Sequence, residues 1–138
     1  MPSVSVNYLA VLVAALAAFV LGALWYSPAL FARQWVAAHG YTPEQVAAMR
    51  QGTAGKYAVS FLCFLVMAWV MAVLIDRMGI LSALGGVKLG GILWLGFAAA
   101  LGLNAHVYSN KRFATFAIDA AYQLIFLVVM GVILAVWM

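Results

Sequence analysis

Apolar positions in this chain run in four long stretches, 4–26, 57–75, 89–110 and 113–138, and these hold 23, 19, 22 and 26 residues. A helix rising about 1.5 Å per residue crosses a hydrocarbon core of ~30 Å in about 20 residues, so each stretch predicts one membrane-spanning helix. The spans are placed at about 4–26, 56–78, 87–108 and 111–137, within a single domain covering 1–138. A closed β-barrel would need shorter, alternating segments, and lipid leaves the backbone no third option. The expected fold is therefore all-α, an integral membrane four-helix transmembrane bundle.

The loop at 28–54 is the one sizeable polar segment, and it predicts two short interfacial helices. Ser27-Pro28 closes the first span and is positioned to open the next helix, with Ser27 as cap and Pro28 in the first turn. Leu30, Phe31, Trp35 and Val36 give that helix an apolar face, Arg33 and Gln34 point away from it, and Gly40 ends it. Thr42-Pro43-Glu44-Gln45 repeats the device with a capping box, and Gly52 is expected to terminate the second helix.

Composition agrees with the pattern: 69% of residues are hydrophobic, 7% are charged, and mean hydropathy is +1.13. Basic residues set the orientation. Arg33, Arg50, Lys56, Lys111 and Arg112 fall in the first and third loops, against Arg77 and Lys88 in the second. This bias predicts a multi-pass inner-membrane protein with those two loops in the cytoplasm and both termini in the periplasm. The net charge of +4 then reads as a topology signal and an attraction to membrane lipid. No basic run is interleaved with exposed aromatics, which argues against nucleic acid as a partner. The first run lacks a basic leader region and reads as a retained anchor. Cys63, the single cysteine, excludes an internal disulfide and reads as a small packing residue.

Asp119 is the only ionisable residue inside the last run. The short turn near Ser109 and Asn110 makes a tight hairpin of the third and fourth spans, which gives Asn104 and Asp119 similar depths, roughly 10 Å in. Trp25, Tyr26 and Ser27 arrive at that level from the first span, and Lys56, Tyr57 and Ser60 from the second, with His106 and Tyr108 nearer the surface. Connectivity thus predicts a polar layer at the cytoplasmic side. Arg112, Thr115, Asp119, Tyr122, Gln123 and Phe126 share one face of the fourth helix. Small residues suited to close helix approach in lipid follow lines in the third helix: Gly86, Gly90, Trp94, Ala98, Gly102 and His106 form one, Gly96, Ala100, Asn104 and Tyr108 another. Ala14, Ala18 and Gly22 form a third line, in the first helix. Two such lines predict that the third helix is packed on both sides, centrally or in a homo-oligomer. A short echo, Tyr26-Ser27 with Phe31-Ala32 against Tyr108-Ser109 with Phe113-Ala114, fits a two-plus-two repeat.

For Asp119 two readings stand: a proton or cation site, or a packing residue bonded to Asn104, Tyr122 or a basic group. Asn7 and Asn104 read as interhelical hydrogen-bonding residues. His106 reads as an interfacial histidine, since His39, the only other one, lies in the loop. Trp25, Tyr26, Trp35 and Tyr57 read as an aromatic belt, or as a platform for a quinone or lipid headgroup. No hydrolase elbow, paired carboxylates, metal-ligand pair or phosphate loop occurs, so no catalytic residue, metal or cofactor is assigned. The expected function is a non-enzymatic, oligomeric membrane protein with a small-solute, proton or cation pathway through the polar layer. The alternatives are a scaffold or lipid- or quinone-binding module and, behind it, a membrane-embedded enzyme.

Asn7, Gly22-Ala23-Leu24-Trp25-Tyr26-Ser27-Pro28, Leu30-Phe31 and Trp35 resemble the opening of domain-of-unknown-function family 1761, small bacterial four-span membrane proteins. The likeness continues through Trp94-Leu95-Gly96-Phe97, Asn104, Arg112-Phe113, Ala121-Tyr122, Met130-Gly131 and Trp137. The resemblance implies the four-span fold and the Trp-Tyr-Ser-Pro motif, and no activity. It also implies an asparagine at the place of Asp119, which weakens a proton-relay role.

Overall fold

The computed structural model describes residues 5–137, so the predicted limits at residues 4 and 138 lie outside it. Its elements are helical throughout: α1 (Tyr8–Trp25), α2 (Ala32–His39), α3 (Pro43–Met49), α4 (Thr53–Met78), α5 (Ala83–Leu93), a π-helical segment (Trp94–Ala99), α6 (Ala100–His106) and α7 (Phe113–Trp137). Four helices are long and apolar enough to cross a membrane: α1, α4, the continuous Ala83–His106, and α7. Large apolar side chains cover their outer surfaces, Ile92 at 68% exposure among them. Such a surface is compatible with lipid and not with water, so the chain is a transmembrane helical bundle.

Local chemistry sets the ends. Asn7 caps α1 by accepting from the backbone N–H groups of Leu9 and Ala10 at 3.1 and 3.2 Å, and its side-chain amide donates to the Trp137 carbonyl at 3.0 Å. One residue thus starts the first span and fastens it to the end of the last. Ser82 accepts from the Gly85 N–H and starts the third span at Ala83, before the predicted residue 87. Thr42 and Gln45 form the predicted capping box, and Gly40 ends α2 in the left-handed conformation at φ 73°.

Two details of the loop differ from expectation. Ser27 does not cap the next helix: its hydroxyl donates to the Leu24 carbonyl at 2.6 Å and closes α1 instead. The chain then turns through residues 27–31, with the Phe31 N–H bonded to the Trp25 carbonyl, and α2 begins at Ala32. Gly52 does not terminate α3, which ends at Met49; at φ 66° it is the left-handed residue from which α4 departs. Cys63 is exposed on the outer face of α4 and is not a packing residue in this chain.

The fourth span, not the third, is central. Of the apolar stretch of α7 44% is buried, against 17% for the third span. α7 packs against α1, α4 and α5, and α1 also packs against α4. On the α1 side, Ala10, Ala14 and Ala18 are wholly buried. On the α5 side the approach is closer: a Cβ added at Gly90 would lie 2.6 Å from the Leu127 carbonyl oxygen, and one at Gly86 would collide with the backbone of Gly131. Backbone contact of this kind replaces the hydrophobic drive between helices in lipid. Met71, Ile75, Met130 and Leu134 fill the bundle beyond, toward the end where Asn7 meets Trp137.

The π segment explains why, within the single chain, the third span packs on one side only. A π turn takes in one residue more than an α turn. At about 100° per residue, unbroken α winding would set Asn104 about 40° from the direction of Gly90, facing α7; the extra residue moves it to about 140°, on the opposite side. Gly102 moves inward by the same rotation, and a Cβ there would sit 3.2 Å from the Phe116 ring. Asn104 accordingly faces outward, and Gly96 and, past the helix end, Tyr108 are exposed as well. At the start of the segment, the Trp94 indole N–H donates to the Ala120 carbonyl at 2.8 Å and pins the third span to α7.

A candidate binding cavity beside Asp119

Tyr26 caps the end of α1, where the turn of residues 27–31 folds α2 back toward α7. Its hydroxyl donates to an Asp119 carboxylate oxygen at 2.5 Å, a bond between groups 93 residues apart in sequence. The neighbouring Trp25 donates its indole N–H to the Ile118 carbonyl at 3.0 Å. One turn further along α7, the Tyr122 hydroxyl donates to the Ala18 carbonyl at 2.6 Å, above a glycine: a Cβ at Gly22 would stand 2.6 Å from that hydroxyl. These three bonds fix the Trp-Tyr motif and the Asp119 face of α7 as one unit.

That unit forms one wall of a cavity of about 1080 Å³, large enough for a small ligand. Tyr26, Asp119, Tyr122, Gln123, Phe126 and Leu127 line this wall, Phe64 and Met67 come from α4, and Ala98, Leu101 and Gly102 from the third span. The interhelical loop supplies Ala32, Trp35, Val36, Val46, Met49 and Arg50, with Thr53, Lys56 and Tyr57 at the start of α4. The aromatic wall is continuous. Ring centroids are 5.5 Å apart for Tyr26–Tyr122, 4.9 Å for Tyr122–Phe126 and 5.2 Å for Phe126–Phe64. At the rim, the Lys56 ammonium donates to the Met49 carbonyl at 2.7 Å, so α3 is tied to α4.

α2 closes over the cavity and is clamped to the start of α7. The Lys111 ammonium donates to the His39 carbonyl at 3.0 Å and lies 5.1 Å from the centre of the Tyr41 ring. His39 stacks on Tyr41 at 4.8 Å and packs against Trp35 at 4.3 Å. Both ring nitrogens of His39, and the Trp35 indole nitrogen, are buried without hydrogen-bond partners. Burial lowers the His39 pKa below its ordinary 6.5, the Lys111 charge lowers it further, and Asp119 acts in the opposite sense. A base held neutral by folding contributes stability above its unfolded pKa and loses it as pH falls through the folded value. Hydrogen exchange in residues 32–41, corrected for intrinsic rates, is therefore expected to accelerate as pH drops below about 6.5, and His39→Gln to remove that dependence. Equal protection at pH 5 and pH 8 in the unaltered chain would contradict this account of the clamp.

The predicted polar layer divides. Asp119, Tyr122, Gln123 and Tyr26 meet at the cavity. Trp25 lies behind them, and Ser27 and Pro28 belong to the turn. Asn104 and Tyr108 do not join: Asn104 is exposed because the π segment rotates α6, and Tyr108, at 83% exposure, lies in the turn that follows. His106 packs instead against Phe113 and Phe116, at centroid distances of 5.9 and 5.8 Å. Of the helix-packing positions, Ala14, Ala18, Gly86 and Gly90 are buried, Gly22 and Gly102 adjoin Tyr122 and Phe116, and Gly96 has open space around it. Met67 and Leu101 line the cavity with no sequence signal beyond being apolar, which everything in a membrane span is, and Ala98 shows only as part of the small-residue line.

Fold and site together define a small multi-pass membrane protein whose second and third spans stand apart around an aromatic cavity. A family model described as a protein of unknown function, DUF1761, matches residues 9–135. The chain belongs to that family. No curated protein and no solved structure matches it.

Proposed function

We propose that this is a non-enzymatic inner-membrane binding protein that takes a small amphipathic molecule into the cavity beside Asp119, with the loop end of the bundle in the cytoplasm. The observation that carries the reading is the cavity itself: about 1080 Å³, walled by aromatic rings, with a hydrogen-bonded carboxylate inside. Ligand sites are typically apolar hollows with a few fixed polar groups, and this one fits that description. Entry is lateral, since α4 and the third span each pack on α7 and leave the cavity between them. A pathway through the whole membrane has less support, because Met71, Ile75, Met130 and Leu134 are fully enclosed in the other half of the bundle.

Nile red, a neutral amphipathic dye, provides the test in lipid nanodiscs holding the purified chain. Saturable binding above that of empty nanodiscs is expected. Ala98→Trp, which fills the cavity from the third span, should weaken it at least about tenfold, a loss on the order of 1.4 kcal/mol. Gly91→Trp should not, because Gly91 does not line the cavity and a Cβ there meets nothing within 4 Å. Dye uptake equal to that of empty nanodiscs, or indifferent to Ala98→Trp, would remove the binding reading.

A further inference from the structure

Asp119 is the one acidic group lining the cavity, and one of its oxygens takes the Tyr26 hydroxyl. Among the described residues it forms no ion pair, so no side chain neutralises the carboxylate. Arg50 and Lys56 also line the cavity, but they belong to its rim, and Lys56 is held there by its bond to Met49. Inside, the surroundings are aromatic: Tyr26, Trp35, Tyr57, Phe64, Tyr122 and Phe126 all contribute to the lining. Ring faces attract cations, and they do so more strongly where water is excluded.

We infer that the cavity selects a lipophilic organic cation, with Asp119 as its counter-charge and the aromatic wall as its bed. The inference rests on the binding reading above and adds the sign of the ligand's charge. Charge complementarity decides among the alternatives. An anionic amphiphile with its head at Arg50 and Lys56 would lay its tail against a carboxylate, leaving that group desolvated and unpaired. A neutral molecule such as the dye can fill the volume, but it leaves the carboxylate with the Tyr26 hydroxyl alone. A bare metal ion needs several oxygen ligands, and beside Asp119 the wall adds only the Gln123 side chain and the Tyr26 and Tyr122 hydroxyls, both already donating to other groups. A bulky cation with an apolar shell meets both demands: its charge answers Asp119, and its shell fills the volume. The lateral gap between α4 and the third span lets it arrive from the lipid and bypass the basic rim.

Tetraphenylphosphonium and tetraphenylborate share shape and apolar area and differ in sign, so they isolate the charge. Each is titrated against Nile red bound to the full chain in nanodiscs of zwitterionic lipid. Tetraphenylphosphonium is expected to displace the dye at a concentration at least tenfold lower than tetraphenylborate. Asp119→Asn is expected to erase that preference, each ion being scored against the dye affinity of the same variant, and Asp119→Glu to keep it. Reversible unfolding in mixed micelles guards against a misfolded Asp119 variant, and Gly91→Trp, outside the cavity, should keep both the dye affinity and the preference. Equal displacement by both ions, or a preference untouched by Asp119→Asn, overturns the cation assignment and leaves the cavity reading standing. Absence of saturable dye binding overturns both.

Discussion

Gly86→Ala is expected to lower the stability of the bundle by about 3 kcal/mol, at the upper end of the overpacking range, because the obstructing atoms are backbone and cannot rotate away. The Cβ would fall on the Gly131 carbonyl, and the contact is reciprocal, since a Cβ at Gly131 would fall on the Gly86 carbonyl. α5 and α7 would have to separate along the interface that holds the third span to the rest of the bundle. Reversible unfolding in mixed micelles is the measurement. Gly91→Ala, on the same helix but facing open space, is the internal control, expected within about 0.5 kcal/mol of the original or slightly stabilising through helix propensity. Equal effects at Gly86 and Gly91 would mean that the two helices do not meet at Gly86 and Gly131.

Tyr122→Ala should be comparably severe, costing about 3–5 kcal/mol as large-to-small changes at enclosed aromatic positions do. The side chain is 7% exposed and joins three elements: its hydroxyl bonds to α1 at Ala18, and its ring packs on Tyr26 and Phe126 and, at 6.5 Å, on Phe64 of α4. Tyr122→Phe separates ring from hydroxyl. It should cost only about 1 kcal/mol, the net worth of one hydrogen bond, because the Ala18 carbonyl remains within its helix. The two variants are compared by the same unfolding assay, together with Nile red binding. If phenylalanine proves as damaging as alanine, the hydroxyl and not the aromatic packing organises the wall.

Much of the architecture was readable from the chain because hydrocarbon imposes simple rules. Four apolar runs of spanning length could become little other than four helices, and Thr42 with Gln45 or Gly40 wrote local geometry directly into the sequence. Depth was legible too: counting residues from the Ser109–Asn110 turn brought Asp119 to the level where Tyr26 ends α1. Direction around the helix axis was less so. In a soluble protein polarity marks the outward face, but in lipid Leu101 and Leu127 are equally apolar whether they line a cavity or meet acyl chains. Asn104 and Asp119 are both polar within apolar spans, and only one of them reaches the cavity. The pairing of Tyr26 with Asp119 depends on a contact across 93 residues, which no local pattern encodes. Ser27 illustrates a different ambiguity, since its hydroxyl can serve the helix before it or the one after, and here it serves the one before.

The π segment has a consequence for how this protein tolerates change in length. Most single-residue deletions within a span would throw its packing out of phase, yet one within Trp94–Ala99 could be absorbed by reverting to ordinary α winding. Such a revertant would keep Gly86 and Gly90 on α7 and the hairpin at the far end in phase. The segment is a spare residue, stored where the helix can release it at little cost to the interfaces on either side.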